Sequence, residues 1–570
     1  MEKRWEVREP DPGLLRLFER DLDVLPVTAR ILANRGLVDS DRAFSFLRPR
    51  LKDLRSPFLM KDMDRAVGRT VEAVERGETI ALYGDYDVDG ATATALLHSF
   101  FRDIGAETVW YIPDRLGEGY GLNAGAVEKL AARGVKLLIT ADCGVSNGDE
   151  IRRAAQLGVD VIVTDHHEMP PEPPPALALL NPKQPGCAFP FKGLAGVGVA
   201  FFFLMALRSR LRELGRFRPP AREPNLARYL DMVAVGTVAD MVPLVEENRV
   251  MVSHGLKVLA ETARPGLRAL KEVAGLGAAN KVSAGAVAFQ LAPRINAGGR
   301  VGSAGAAVEL LVCSDMERAR RLASELDAEN TRRQGLEAAI LEEALAMLAG
   351  GCDDRAIVLG SEGWHPGVIG IVASRLVDRF SRPTVLIGFD GEVGKGSARS
   401  IRGFDILEAI RSCSALLDKY GGHRAAAGLS IRRGLVERFR EEFTAFANER
   451  LDDEDLRPLV EVDALVSLEE LNGRLLSEIE MLGPFGVSNS EPVLGAVDAQ
   501  IIQTRVVGER HLKMTLRQNG AARSAMGFGL ADMHPMSGGG FDIAFSPYLS
   551  EWQGVKELRL KVRDIRRPSA

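Results

Sequence analysis

The sequence predicts an α/β protein in three folded parts: a parallel-sheet domain, a second α/β domain joined to it by a long helix, and a β-rich, barrel-like C-terminal domain. Three observations predict it. Between residues 78 and 167, short Ile/Val/Leu runs alternate with helical stretches. From Ser314 to Leu348 the chain is a run of helix formers without proline. Beyond about Pro458 the texture turns alternating and β-branched, with glycine-rich turns. With 570 residues, 46% hydrophobic and 26% charged, this is an ordinary globular composition in a chain too long for one core.

Residues 1–70 form an N-terminal segment. Its start, MEKRWEVREPDPGLL, has neither the basic stretch nor the apolar run of a secretion signal, and no stretch approaches the ~20 apolar residues of a membrane span. Five scattered cysteines with no CxxC pair fit a reducing compartment, so a cytoplasmic protein is expected. Residues 71–313 make the first domain, in which ETIALYGDYDVDG, VKLLITADCG and VDVIVTDHH read as strands of one parallel sheet, each ending in acidic residues. Ligands of such sheets sit beyond the carboxyl ends of the strands, so these acids should converge. The next stretch, EMPPEPPPALALLNPKQPG, excludes a central strand or helix and predicts a stiff loop. Residues 314–350 form the connecting helix, interrupted only by Gly335, and residues 351–455 a second α/β domain. Residues 456–570 form the barrel, and the net charge of −5 conceals a basic end: residues 501–570 hold 11 Lys/Arg against 6 Asp/Glu. A cut near Asp455 is therefore expected to weaken nucleic-acid binding without touching the chemistry.

In an extended loop Asp85 and Asp87 face one side and can aim at one point, while Asp89 is expected to cap the following helix. Asp142 in ITADCG and the run Asp165, His166, His167 in VTDHH occupy equivalent strand ends. In LDMVAVGTVADMVPL a fourth apolar run ends in an acid, Asp240. Carboxylates with one or two imidazoles and no thiolate suit Mn²⁺ or Mg²⁺, with Asp165 orienting a histidine behind the ligands. A bridged pair of such cations activates water and stabilises an in-line phosphoryl displacement, so hydrolysis of a phosphoester or phosphoanhydride is expected.

GDYDVDG, ADCG, DHH and GTVAD stand in the order found in the DHH phosphoesterases, and the chain resembles that family over nearly its whole length, most of all the branch that degrades single-stranded DNA from the 5′ end. The resemblance implies two divalent cations held by Asp85, Asp87, Asp142, His166 and Asp240, with Asp142 bridging and His167 directed at the scissile phosphate. It implies substrate contacts from Arg294, Asn296 and Arg300 in PRINAGGRVGSA, Ser397 and Arg399 in GKGSARS, and Gly421, Gly422 and His423 in GGHRAAAG. Glycines let backbone N–H groups approach phosphate, and arginines offer planar forks to the same oxygens. Arg115 is assigned to a 5′-phosphate pocket and Tyr120 to the first bases. The C-terminal domain resembles an OB-fold, with Phe541, Phe545, Tyr548 and Trp552 as stacking candidates that small barrels more often bury.

The implied function is metal-dependent hydrolysis of single-stranded DNA to 5′-mononucleotides in repair and recombination. The implied partners are single-stranded DNA, with a helicase and a single-strand-binding protein as candidates, and a cleft within one chain suits a monomer. A phosphodiesterase acting on short oligonucleotides or cyclic dinucleotides is the alternative; its relatives are usually shorter and lack the barrel. The pyrophosphatase branch carries a histidine where this chain has Ala81, and a non-catalytic scaffold should have lost ligands that this chain keeps.

Overall fold

The computed structural model describes residues 3–114, 118–119, 121–219, 222–277, 281–301, 305–349, 354–552 and 555–567, so Arg115 and Tyr120 lie outside the described residues. The chain forms two compact units, one of Asp11–Asn330 with Ser477–Glu491, the other of Met1–Pro10, Thr331–Leu476 and Pro492–Ala570.

The first unit is built on five parallel strands: β1 (Ile80–Gly84), β2 (Thr108–Tyr111), β3 (Leu137–Ala141), β4 (Asp160–Thr164) and β5 (Ala178–Leu180). β1 and β3 are buried along their whole length, which is why they read as continuous apolar runs. Their order is β2-β1-β3-β4-β5, so the winding reverses between β1 and β3 and opens a crevice at their carboxyl ends. Two strands go beyond the three that the pattern predicts. β2 is short and half-buried, and β5 arises inside the proline-rich stretch, where it takes an edge position that needs fewer backbone donors.

Helices α1 (Val88–Asp103), α2 (Gly196–Glu213), α3 (Leu230–Ala239) and α4 (Glu246–Ala260) pack with this sheet into one apolar core. α3 corrects an expectation, because Asp240 ends a helix and not a strand. Nine successive residues of α3 are buried, from Leu230 to Val238, and an apolar run buried on every side shows no helical period. The segment 477–491 is tied in by Arg249, whose side chain is 2% exposed. Its guanidinium donates to the carbonyls of Phe46, Leu482 and Met481 at 2.7, 2.9 and 3.0 Å and lies 3.7 Å from the Phe46 ring.

α5 (Ala292–Val301) follows a π-helical turn, and α6 (Met316–Met347) is the 32-residue connecting helix, inside which the boundary between the units falls. It runs on through Gly335, where a Cβ would meet nothing within 4 Å. The second unit holds a sheet of β6 (Ile357–Glu362), β7 (Thr384–Asp390), β8 (Val393–Arg399), β9 (Leu417–His423) and β10 (Ala426–Arg432), in the order β9-β10-β8-β7-β6. α7 (Ile369–Phe380) packs on β7 and β8.

The same unit carries a six-stranded sheet, β11 (Ala464–Leu465), β12 (Leu494–Val507), β13 (His511–Gln518), β14 (Ala521–Gly527), β15 (Gly538–Trp552) and β16 (Val555–Arg566). Its order is β11-β12-β13-β14-β16-β15, and the extra pairing of β12 with β15 closes the barrel. Phe541 and Phe545 are buried in it, Tyr548 is half-buried, and the Trp552 side chain lies outside the described residues. Two of the aromatics proposed to stack on bases are thus core, while Phe528, 53% exposed against His511, faces solvent.

Candidate metal centre

The carboxyl ends of β1, β3 and β4 bring the predicted acids together. Asp85 leaves β1 with its N–H on the Ala141 carbonyl, and α1 starts so close behind it that a Cβ on Gly90 would lie 2.5 Å from the Asp85 carbonyl. Asp87, not Asp89, caps α1: its Oδ1 accepts from the Gly90 N–H at 3.0 Å. Asp89 instead is the second residue of the helix, 1% exposed, accepting the N–H groups of Gly196 and Val197 at 2.6 and 2.8 Å at the start of α2. The expected roles of these two acids are exchanged at the cap because the helix begins one residue after Asp87, which puts Asp89 in its first turn.

Asp142 follows β3 in a left-handed backbone conformation, φ 65°, and is 1% exposed. A Cβ on Gly196 would sit 2.7 Å from its Oδ1, so the α2 start must be bare there. The His166 Nε2 lies 3.1 Å from Asp142 Oδ1, 3.5 Å from Asp240 Oδ2 and 3.8 Å from Asp89 Oδ2. Among the described residues, neither this nitrogen nor Asp240 Oδ2 has a hydrogen-bond partner, although both are buried. Polar atoms in that condition fit a cation that would complete their coordination.

Three groups of side chains have ligand atoms within 4.8 Å of one another: Asp85, Asp87 and Asp142; Asp89, His166 and Asp240; Asp142, His166 and His167. Asp142 and His166 each belong to two of the three. This is the hard, oxygen-rich donor set that Mn²⁺ or Mg²⁺ takes. Asp89 is the member that sequence reasoning misses; its signal is the GVG at the start of α2, a bare helix N-terminus that needs an anion.

Burial and the crowding of like charges dominate the electrostatics. Burial, with Asp89 and Asp87, pushes the Asp240 carboxyl up to about 9, and burial and Asp87 push Asp89 up to about 7. Burial and four neighbouring carboxylates hold Asp142 well above the usual range. Burial and the adjacent His167 pull His166 down to about 3, leaving the neutral imidazole that ligates metals. Asp165 behaves differently. Burial raises it, but its bonds from the His167 ring, at 2.8 Å, and from backbone N–H groups outweigh this and keep it low. Burial lowers His167 in turn, yet Asp165 raises it overall.

The remaining predicted residues divide between the units. Asn296 on α5 accepts the Val88 N–H at 3.2 Å, steadying the loop that carries Asp87, and Arg294 is held by Asp327 and the Gln290 carbonyl. The Arg300 side chain lies outside the described residues. In the second unit the Arg399 guanidinium donates to Ser397 Oγ at 3.1 Å, and both abut Gly370 in the first turn of α7, where a Cβ would lie 2.7 and 2.8 Å from them. Gly422 holds φ 145° with the Ala426 carbonyl 2.5 Å from where a Cβ would be, and Gly421 and His423 are exposed beside it.

Three family models match the chain: DHH family, N-terminal domain, over residues 79–237; DHHA1 domain over residues 353–451; and RecJ OB domain over residues 462–564. The single-stranded-DNA-specific exonuclease RecJ of Bacillus subtilis is 39% identical over 570 residues, covering 98% of this chain and 70% of its own. The Escherichia coli protein of that name is 36% identical, covering 94% and 92%. Crystal structures of Thermus thermophilus RecJ superpose over 100% of this chain, with Mn²⁺ at a TM-score of 0.84, 33% identity and 80% of that chain, and with Mg²⁺ at 0.79, 31% and 79%.

Proposed function

The chain belongs to the RecJ exonucleases of the DHH family, and from that premise we propose that it digests single-stranded DNA from the 5′ end, releasing 5′-mononucleotides. It is a metal-dependent single-stranded-DNA-specific exonuclease whose cation is Mn²⁺ or Mg²⁺. The observation that carries the catalytic reading is the membership of Asp142 in two of the three ligand groups.

Asp85, Asp87 and Asp142 would hold one cation and Asp142, His166 and Asp240 a second, and such a pair supplies an activated water and neutralises charge on the phosphate under attack. His167 is oriented by the contact of its Nδ1 with Asp165, which favours the charged imidazole, and in that form the ring would be directed at a phosphate oxygen. Ser397, Arg399 and the N-terminus of α7 make a dianion site: hydroxyl, planar fork and helix dipole suit a terminal phosphate better than an internal diester, which carries less charge. Arg115, Tyr120, Arg294, Asn296, Arg300, Gly422 and His423 complete the substrate contacts in this reading. Asn296 contributes from its amide nitrogen, because its oxygen is taken by Val88. The closed barrel with its basic strands binds the trailing strand. A monomer in the cytoplasm, working with a helicase and a single-strand-binding protein in repair and recombination, completes the reading; among the described residues no helix is long and apolar enough to cross a membrane.

Digestion of single strands labelled at either end tests the direction. With Mn²⁺ or Mg²⁺ the 5′ label should leave at once as a mononucleotide while the 3′ label stays on a shortening ladder, and EDTA should stop both. Immediate release of the 3′ label would overturn the polarity. Arg399→Ala should erase most of the preference for 5′-phosphorylated over 5′-hydroxyl strands while leaving Mn²⁺ binding unchanged.

A further inference from the structure

Helices that carry the metal centre at one end open onto a second cavity at the other. α1 runs from the Asp87 cap to Asp103, and α3 ends at Asp240 and begins beside Tyr229 and Asp231. At 1.5 Å per residue these helices separate their two ends by about 24 and 15 Å. At the far ends lies a cavity of about 760 Å³ rimmed by Arg102, Arg222, Arg228 and Arg264, with Val258 and Leu311 among its apolar lining.

The frame of this cavity is built from buried polar groups. Asp231, 1% exposed, accepts the Thr262 hydroxyl at 2.7 Å and the Arg264 Nε at 3.1 Å, and the Arg264 guanidinium lies 5.1 Å from the Tyr229 ring. The Tyr229 hydroxyl donates to Asp103, and Glu223 is taken by Arg212 and Arg208. The rim acids Asp103, Glu223 and Asp231 are therefore already engaged, and Glu261 is the remaining one. Arg222 and Arg228 are exposed and, among the described residues, neither side chain makes an ion pair or hydrogen bond. They belong to a stretch, residues 208–228, that holds seven arginines against two glutamates.

We propose that this cavity binds a nucleoside monophosphate. The two free guanidiniums take the phosphate, and the apolar lining with the Asn225 amide takes the base and sugar. Bare phosphate would leave the apolar part of so large a cavity unfilled. Mononucleotides are what an exonuclease releases, so the site meets its ligand at every turnover; the proposal rests on the exonuclease activity and not on its direction.

Isothermal titration of the full chain carrying Arg399→Ala with deoxyadenosine 5′-monophosphate in EDTA tests it, since then neither the metal centre nor the terminal-phosphate pocket competes. One saturable site is expected, with adenosine and inorganic phosphate each weaker by about tenfold or more. The double variant R222A/R228A should weaken binding about tenfold or more while digesting single-stranded DNA at the parent rate, and D142N should bind as the parent does. The proposal is overturned if no saturation appears, if R222A/R228A binds unchanged, if D142N loses binding, if phosphate alone binds as well, or if a short oligonucleotide binds through these arginines more tightly than the mononucleotide.

Discussion

Asp142 combines a left-handed backbone, near-complete burial and a carboxyl kept well above its ordinary range, a costly combination unless a cation is its partner. Asp142→Asn should abolish hydrolysis and Mn²⁺ binding by calorimetry while leaving the circular dichroism spectrum unchanged. The pH dependence follows from the same cluster. Asp240 rises from 3.8 to about 9 on folding, so an unfolded chain releases that proton first. Between those values the native state binds more protons, and stability of the cation-free protein falls as pH rises. Melting temperature in EDTA should therefore decline from about pH 5 to about pH 9, and Asp240→Asn should flatten the decline. His166→Ala should lose Mn²⁺ affinity, whereas His167→Ala should lower kcat with affinity kept; equal losses of affinity would refute the division of roles. Most of this centre is legible in sequence because acids at strand ends must meet in a parallel sheet. The exchange of Asp87 and Asp89 is not, since both are good caps and only the first helical residue decides between them.

Helix starts and strand edges govern what the elements do. Gly196 opens α2 with no side chain because Asp142 occupies the space, and its N–H is one of the two that hold Asp89. Gly196→Ala should therefore depress cation affinity and activity together, which metal titration against the parent would read. A parallel sheet could be expected from the alternation of strands and helices, and the long connecting helix from its composition. Two features were hidden for physical reasons. α3 is buried on every side and so lacks a helical period, and β5 is an edge strand that tolerates a proline-rich neighbourhood. In the barrel, Phe541→Ala should cost about 3–5 kcal/mol in urea unfolding, as for other buried aromatics. Phe528→Ala should leave stability near the parent's and weaken binding of long single strands in a fluorescence titration.

At the scale of the molecule, the chain passes between its two units after residues 10, 330, 476 and 491. A cut near Asp455 thus removes more than a nucleic-acid-binding domain: it takes away 477–491, and with it two of the three carbonyls that receive Arg249. Such a truncation should lose activity on short and long strands alike, contrary to the expectation from sequence. In the full chain, Arg249→Ala should cost on the order of 3 kcal/mol in urea unfolding, from lost buried hydrogen bonds. The same connection sets a timetable for birth on the ribosome. Residues 11–330 are made long before the fifteen residues that complete their unit, and at ~5–20 residues per second the wait is roughly ten to thirty seconds. During that interval the nascent catalytic unit holds Arg249 with one of its three carbonyl partners, so a chain arrested before Ser477 should be cut by protease where a chain arrested well beyond Glu491 resists.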